Sequence, residues 1–184
     1  MRRLLKRSAA TVMVAIGLSA CSMFVPPETR LMFGMLPTNE LGYEVDSSGG
    51  ITVEARQFQF TNPAGMPVTQ ITGYRVEYRD QLGTLVGRSS LEPQALNITV
   101  PAGFQCDEPD AVLGCNPMSP GARPAPGPTA TGPALANQLL NADIVEAHIS
   151  SGYRSGWYAD ITFYGYNAYG EFEETYRVNI VAPN

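Results

Sequence analysis

The sequence predicts an all-β fold, a two-layer antiparallel sandwich, from three observations. Residues 71–80 alternate between apolar and charged side chains, which is typical of a half-buried antiparallel strand. Residues 94–100 repeat this period of two. Residues 157–167 and 172–181 are two strand-like segments joined by a glycine-containing turn, which indicates a hairpin. Short strands at this spacing, separated by turn signals, favour a sandwich.

The first twenty residues predict an export signal that is not part of this sandwich. Residues 1–7 carry four basic side chains and no acidic one, and residues 8–20 are uncharged and mostly apolar. These 13 apolar residues are too few to cross a bilayer core, which takes about 20 residues. The segment ends in Leu18-Ser19-Ala20-Cys21, which resembles the lipobox of bacterial lipoproteins at all four positions.

The lipobox resemblance implies a lipid anchor. It implies cleavage before Cys21, a thioether-linked diacylglycerol on that cysteine and, usually, acylation of the new amine. Ser22 follows it, a pattern that in many two-membrane bacteria directs a lipoprotein to the outer membrane. We therefore expect a signal peptide over residues 1–20, a tether over residues 21–30 and one β-sandwich domain over residues 31–184. An uncleaved anchor and an ordinary cleavage site are the alternatives.

The charge of the chain limits the classes of partner. Four of the 12 basic residues lie in the signal segment, so the mature chain has eight Arg and no Lys against 17 acidic residues, a formal charge of −9. This surplus argues against a nucleic-acid partner and against electrostatic binding to anionic lipid. The lack of Lys excludes Schiff-base chemistry in the mature protein. A chain of this length can bury one core, so we expect one domain.

Residues 51–60 predict a strand with an irregularity in its middle. The apolar side chains of its first half lie on one face, whereas Phe58 and Phe60 lie on the other. This change of parity predicts a β-bulge near Arg56–Gln57.

Residues 101–133 interrupt the strand pattern and predict a long Pro-rich loop. Cys106 and Cys115 lie in this loop, and two such cysteines in an exported protein usually form a disulfide. Two free buried thiols are the alternative. After the proline that ends the loop, we predict one short helix over Ala134–Asn141 and then a strand within residues 143–150.

Two stretches resemble fibronectin type III and immunoglobulin-like domains. Gly73-Tyr74-Arg75-Val76-Glu77-Tyr78 resembles their C strand. Residues 159–170, which run into Tyr166-Asn167-Ala168-Tyr169-Gly170-Glu171, resemble their F–G corner. The resemblance implies a domain that serves recognition and spacing, and it brings no catalytic site with it.

The chain offers little for catalysis, so we expect no enzyme, cofactor or metal. His148 is the one histidine, and we expect it to be a partly exposed polar residue. No Gly-X-Ser-X-Gly motif is present. Two clusters of acids could act on a glycan, and the cluster in the disulfide loop could bind Ca²⁺, but solvated surface carboxylates are the favoured interpretation. These acids are Asp107, Glu108, Asp110, Glu171, Glu173 and Glu174.

The remaining candidate is an interaction face on the predicted sheet. Ile161 and Phe163 fit the core-facing parity of their strand, so the tyrosines between and beside them face outward. Tyr and Arg are enriched among residues that anchor interfaces. Ordinary cross-strand pairs, worth about 0.2–1 kcal/mol each, are the alternative. The candidate residues are Tyr158, Tyr164, Tyr166, Arg75, Arg79 and Arg177.

These observations together predict a lipid-anchored envelope protein without enzymatic activity. We expect it to contact the membrane through Cys21 and to bind or scaffold an envelope protein or glycan. An accessory role in assembling a surface machine, such as a pilus, secretion system or surface layer, is the alternative. A small glycan hydrolase is a more remote one.

Overall fold

A computed structural model of the chain describes residues 30–87, 93–112, 114–135 and 139–183. Within these ranges the chain forms twelve strands and one α-helix, α1 (Ala142–Ser150). In chain order the strands are β1 (Met32–Leu36), β2 (Glu40–Leu41), β3 (Tyr43–Val45), β4 (Ile51–Val53), β5 (Arg56–Thr61), β6 (Thr69–Arg79), β7 (Gln94–Val100), β8 (Phe104–Gln105), β9 (Arg123–Pro124), β10 (Ala130–Leu135), β11 (Tyr158–Asn167) and β12 (Gly170–Ile180).

Two main sheets form the layers of a sandwich. The smaller sheet has the order β1-β5-β10, and the larger has the order β2-β12-β11-β6-β7. Neighbouring strands are antiparallel, except that β2 runs parallel to β12. Two further pairs, β3-β4 and β8-β9, lie outside these sheets. The predicted all-β sandwich is confirmed.

Aromatic side chains fill the space between the sheets. Phe163 on β11 meets Phe58 and Phe60 on β5 nearly at right angles, with ring centroids 4.9 and 4.8 Å apart. Phe33 on β1 lies 5.1 Å from the same ring. These edge-to-face contacts add to the stability gained by burial. They fix which face of β11 points inward and therefore which side chains point to solvent.

The β-bulge predicted near Arg56–Gln57 is wrong, because the segment forms two strands with different partners. β4 pairs with β3, whereas β5 pairs with β1 and β10. Arg56 begins β5 with its side chain buried. Its Nε donates to the carbonyl oxygen of Glu40 over 2.6 Å, and its guanidinium pairs with Glu54. The change of side-chain parity thus marks a strand break.

The position of the helix also differs from the prediction. The first two residues of the helix predicted over Ala134–Asn141 belong to β10, and α1 lies where a strand was predicted within residues 143–150. Asn141 is the N-cap, since its side chain accepts a hydrogen bond from the Ile144 backbone N–H at 3.0 Å. Ile144 and His148, one turn apart, are buried, so α1 packs one face on the sandwich.

The Pro-rich loop predicted over residues 101–133 ends four residues earlier, because β10 begins at Ala130. The loop contains the short β8-β9 ladder and the Cys106–Cys115 disulfide, whose Cα atoms are 5.7 Å apart. The disulfide predicted from the two cysteines is therefore present.

The loop is attached to the end of the sandwich at which β1 begins. Met32 pairs with Thr61, the last residue of β5. Gly103 and Gly127, near the two ends of the loop, are hydrogen-bonded to the turn that follows β5. The β11–β12 hairpin turns at this end too, because it lies beside the beginning of β6. We call this the N-terminal end; the opposite end carries α1.

Candidate interaction face

The larger sheet brings the predicted face together. β11 lies between β6 and β12, so Tyr158 is opposite Arg79 and Asp160 is opposite Arg177. The side chains that alternate with the core positions of these three strands point to solvent, and we call this surface the outer face. The six predicted residues on it are Tyr158, Tyr164, Tyr166, Arg75, Arg79 and Arg177.

Asp160 is the centre of the charge arrangement on the outer face. Its carboxylate accepts from Arg177 Nε at 3.0 Å on one side and lies 3.4 Å from Arg79 Nε on the other. The hydrogen bond from Arg177 to Asp160 raises the pKa of that guanidinium above its ordinary value. Asp160 thus links β12 to β6 across β11.

Further ion pairs extend this arrangement along β6. Arg79 lies 3.0 Å from Glu77, and Arg75 lies 3.7 Å from the same carboxylate. Arg75 also reaches Glu173 on β12 at 3.4 Å. Basic and acidic side chains therefore alternate over the outer face, and each of its three arginines is paired with a carboxylate.

The tyrosines of the outer face lie beside its arginines. The Arg177 guanidinium stacks over the Tyr158 ring at 3.9 Å from the ring centroid, and Arg75 lies 5.9 Å from the ring of Tyr164. Tyr166 is more open, with 53% of its surface exposed. The arrangement offers aromatic rings and paired charges on one exposed face of the sheet, and Tyr and Arg are enriched at many protein interfaces.

The predicted acidic clusters have separate roles. Glu173 belongs to the outer face, whereas Glu174 accepts hydrogen bonds from the Leu31 backbone N–H and the Tyr176 hydroxyl. Asp107, Glu108 and Asp110 are exposed in the Pro-rich loop. Across the described ranges, no three His, Cys, Asp or Glu side chains lie close enough to bind a metal ion together.

His148 is buried in the core, so the predicted partial exposure is wrong. Only 1% of its surface is exposed, and its ring packs on Trp157 with centroids 5.1 Å apart. Nε2 lies 3.0 Å from the carbonyl oxygen of Arg154, and Nδ1 lies 2.9 Å from the Tyr43 hydroxyl. Because a carbonyl can only accept, Nε2 carries the proton and Nδ1 accepts from Tyr43. His148 therefore holds α1 on the sandwich.

Clefts at the end opposite the N-terminal end were not predicted. One of about 420 Å³ is lined by Glu40, Glu44 and Glu54 together with C-terminal residues. Another of about 300 Å³ lies beside His148 and Tyr153. Residues far apart in the chain line each cleft, so no local sequence pattern could have indicated them.

The predicted lipidation site, Cys21, lies outside the described residues, as does the rest of the signal and tether up to residue 29. Among the residues that the structure does describe, no helix has the length and apolar character needed to span a membrane.

Comparison of the sequence with protein-family models finds no match. Comparison with curated proteins finds no match either. The function is therefore inferred from the residues of this chain and from where they lie.

Proposed function

We propose that this chain is a lipid-anchored, non-enzymatic protein of the bacterial cell envelope that binds or scaffolds another envelope component through its outer face. The observation that carries the proposal is Leu18-Ser19-Ala20-Cys21 at the end of a short apolar segment behind four basic residues. Two or three acyl chains at Cys21 would hold the protein stably on a membrane, since each buried methylene contributes about 0.8 kcal/mol.

The tether is short enough to keep the domain close to the bilayer. Nine residue steps lead from the proposed anchor, Cys21, to the first described residue, Arg30. Each residue of a polypeptide can span at most about 3.5 Å, so the domain stays within about 30 Å of the lipid. A partner of the domain is therefore a component that comes close to the same membrane.

The charge pattern of the outer face indicates how a partner would be recognised. Arg177 and Glu173 are more than half exposed, and exposed ion pairs are worth about 0–1 kcal/mol each. A partner can thus replace them at small cost. Because basic and acidic groups alternate here, the fitting partner has a complementary pattern of both signs and polar groups that meet Tyr166.

Site-specific photo-crosslinking in cells that produce the full chain tests the outer face. A photoreactive phenylalanine derivative would replace Tyr166 or Thr175, which are exposed on the larger sheet, and in a control it would replace Thr131, exposed on the smaller sheet. We expect one discrete adduct from the first two positions and none from the third. Equal adducts from all three positions, or none from any, would contradict the proposal.

An alanine substitution separates binding from folding. Tyr166→Ala removes an exposed ring, so we expect loss of the crosslinked or co-purified partner with a free energy of unfolding unchanged within about 0.5 kcal/mol. Leu82→Ala, at an exposed turn far from Tyr166, is the matched control and should keep the partner. Loss of stability together with the partner would instead mean that Tyr166 serves cross-strand packing.

A further inference from the structure

Large apolar and aromatic side chains are exposed at the N-terminal end of the sandwich. Tyr166 and Tyr169, at the β11–β12 hairpin, expose 53% and 60% of their surfaces. Met118 and Val112, in the Pro-rich loop attached to this end, expose 95% and 77%. Exposed apolar side chains of this kind indicate contact with a partner or a membrane. Leu82 and Leu85 are exposed at the opposite end as well, so the end at which the chain enters the domain decides between the two.

The chain joins the domain at this same end, and it does so at a fixed point. The Arg30 guanidinium lies 4.9 Å from the ring centroid of Tyr176 and donates to the carbonyl oxygen of Thr175 over 3.0 Å. The next residue, Leu31, is buried and donates its backbone N–H to Glu174 over 3.1 Å. The point at which the chain enters the domain is therefore fixed by contacts with β12.

The β11–β12 hairpin extends beyond that point, at the end of the sandwich where β1 begins. Thr175 lies five residues after Gly170, where β12 begins, and a strand rises about 3.3 Å per residue. The hairpin thus projects about 17 Å past the Arg30 contact, which is about half of the longest reach of residues 21–29. A lipid on Cys21 brings the bilayer within range of the hairpin tip.

We propose that the N-terminal end rests on the bilayer that holds Cys21, with Tyr166, Tyr169 and Met118 at the level of the lipid headgroups. This inference rests on the lipid anchor of the proposed function. Tyrosine suits such a position, because its ring is apolar and its hydroxyl stays hydrated. The formal charge of −9 disfavours anionic lipid, so the contact is aromatic and apolar, and the lipid is zwitterionic.

This orientation determines which surfaces stay open to a partner. The opposite end, with α1 and the two clefts, points away from the membrane. The strands of the larger sheet stand upright on the bilayer, so the outer face is accessible from the side. Tyr166 lies where the outer face meets the membrane.

Quenching of tryptophan by brominated lipid tests the orientation. The full lipidated chain would be purified from membranes and reconstituted into vesicles of phosphatidylethanolamine and brominated phosphatidylcholine. Tyr169→Trp and Met118→Trp place a reporter at the N-terminal end, and Leu82→Trp places one at an equally exposed turn of the opposite end. The native Trp157 is buried and gives the same background in every variant.

We expect the emission added by Tyr169→Trp and Met118→Trp to be lost in brominated vesicles, and that of Leu82→Trp to remain. Flotation of the protein with the vesicles, measured separately, reports the anchor itself. Protein that floats while Tyr169→Trp is unquenched, or while Leu82→Trp is quenched as strongly, overturns this inference alone and assigns the exposed side chains to a protein partner. Protein that does not float overturns the anchor and this inference with it.

Discussion

The hydrogen bond between Tyr43 and His148 shows how single residues stabilise this fold. Both side chains are buried, and the Tyr43 hydroxyl is the donor to His148 Nδ1. The sequence predicts a partly exposed polar residue at 148, and only the fold shows that the distant Tyr43 and the nearby Arg154 satisfy its ring nitrogens. A buried polar group with both partners in place adds to stability, whereas one without a partner reduces it.

Tyr43→Phe should lower the free energy of unfolding by about 1–3 kcal/mol, because it leaves His148 Nδ1 buried without a donor. Urea denaturation followed by circular dichroism measures this. Tyr166→Phe removes an exposed hydroxyl and serves as the control, with an expected change within about 0.5 kcal/mol. Equal stability of the two variants would show that the Tyr43–His148 bond has no energetic role.

Burial of tyrosines makes the fold sensitive to alkali. Desolvation raises the pKa of Tyr43 to about 12, and it also raises the pKa of Tyr74, Tyr78 and Tyr176. In the unfolded chain tyrosine ionises near pH 10, so above about pH 10 the unfolded state binds fewer protons than the folded state. The stabilisation from these groups is complete below that pH and is lost as the pH rises towards about 12.

We therefore expect the free energy of unfolding to fall steadily from about pH 10 upward, with the last tyrosinate absorbance appearing together with loss of circular dichroism. Denaturation at a series of alkaline pH values, with absorbance recorded in parallel, checks this. Ionisation of all nine tyrosines in a protein that stays folded would contradict it.

At the scale of elements, α1 and β10 show where sequence patterns are ambiguous. Ile144 and Ile149 suited a short strand, but Ile144 and His148 also suit one face of a helix. The deciding signal is Asn141, whose side chain caps the helix. Pro133 also suits the start of a helix, but it lies in β10, an edge strand in which a missing N–H is tolerated.

Gly165 on β11 is required by the close approach of β6. A Cβ atom there would lie 2.3 Å from the carbonyl oxygen of Gln70 and 2.6 Å from the Phe172 ring. We expect Gly165→Ala to lower the free energy of unfolding by about 1–3 kcal/mol. Gly34→Ala on β1 is the control, since its Cβ would only touch Asn39 at 3.4 Å. Thermal or urea unfolding should show that Gly165→Ala is far less stable than Gly34→Ala. The reverse order of stability would contradict the register of the sheet.

The disulfide stabilises the Pro-rich loop without belonging to either main sheet. The loop closed by Cys106 and Cys115 has ten residues, and restricting the unfolded chain in this way contributes about 2.5 kcal/mol. The paired substitution Cys106→Ser with Cys115→Ser should lower the free energy of unfolding by that amount and leave the β-sheet circular dichroism unchanged. A variant as stable as the parent protein would show that the bond constrains nothing in the unfolded state.

At the scale of the whole molecule, the sequence predicts the fold class and the β11–β12 hairpin, which the structure confirms, but not the other strand pairings. Alternation along β6, β11 and β12 sets which side chains face inward, because the period of a strand is two. It does not set which strands are neighbours. The ion pairs of Asp160 with Arg79 and Arg177 depend on which strands are neighbours and on their register. The sequence therefore predicts which residues form the outer face, but not which of them are in contact.

The short strands were beyond the reach of sequence patterns for a similar reason. β2, β3 and β4 have two or three residues each, too few to show a period. Their positions depend on contacts with the C-terminal part of the chain, such as the pairing of Leu41 with Ile180. The clefts at this end of the domain follow from those contacts and were missed with them.

The central claim is that acyl chains on Cys21 hold this sandwich at a membrane. Mass spectrometry of the N-terminal tryptic peptide, residues 21–30, from protein extracted from native membranes tests it most directly. We predict a peptide that starts at Cys21 and carries a diacylglyceryl thioether, with or without an acylated amine. A chain that retains residues 1–20, or one with a free thiol at Cys21, would contradict the account.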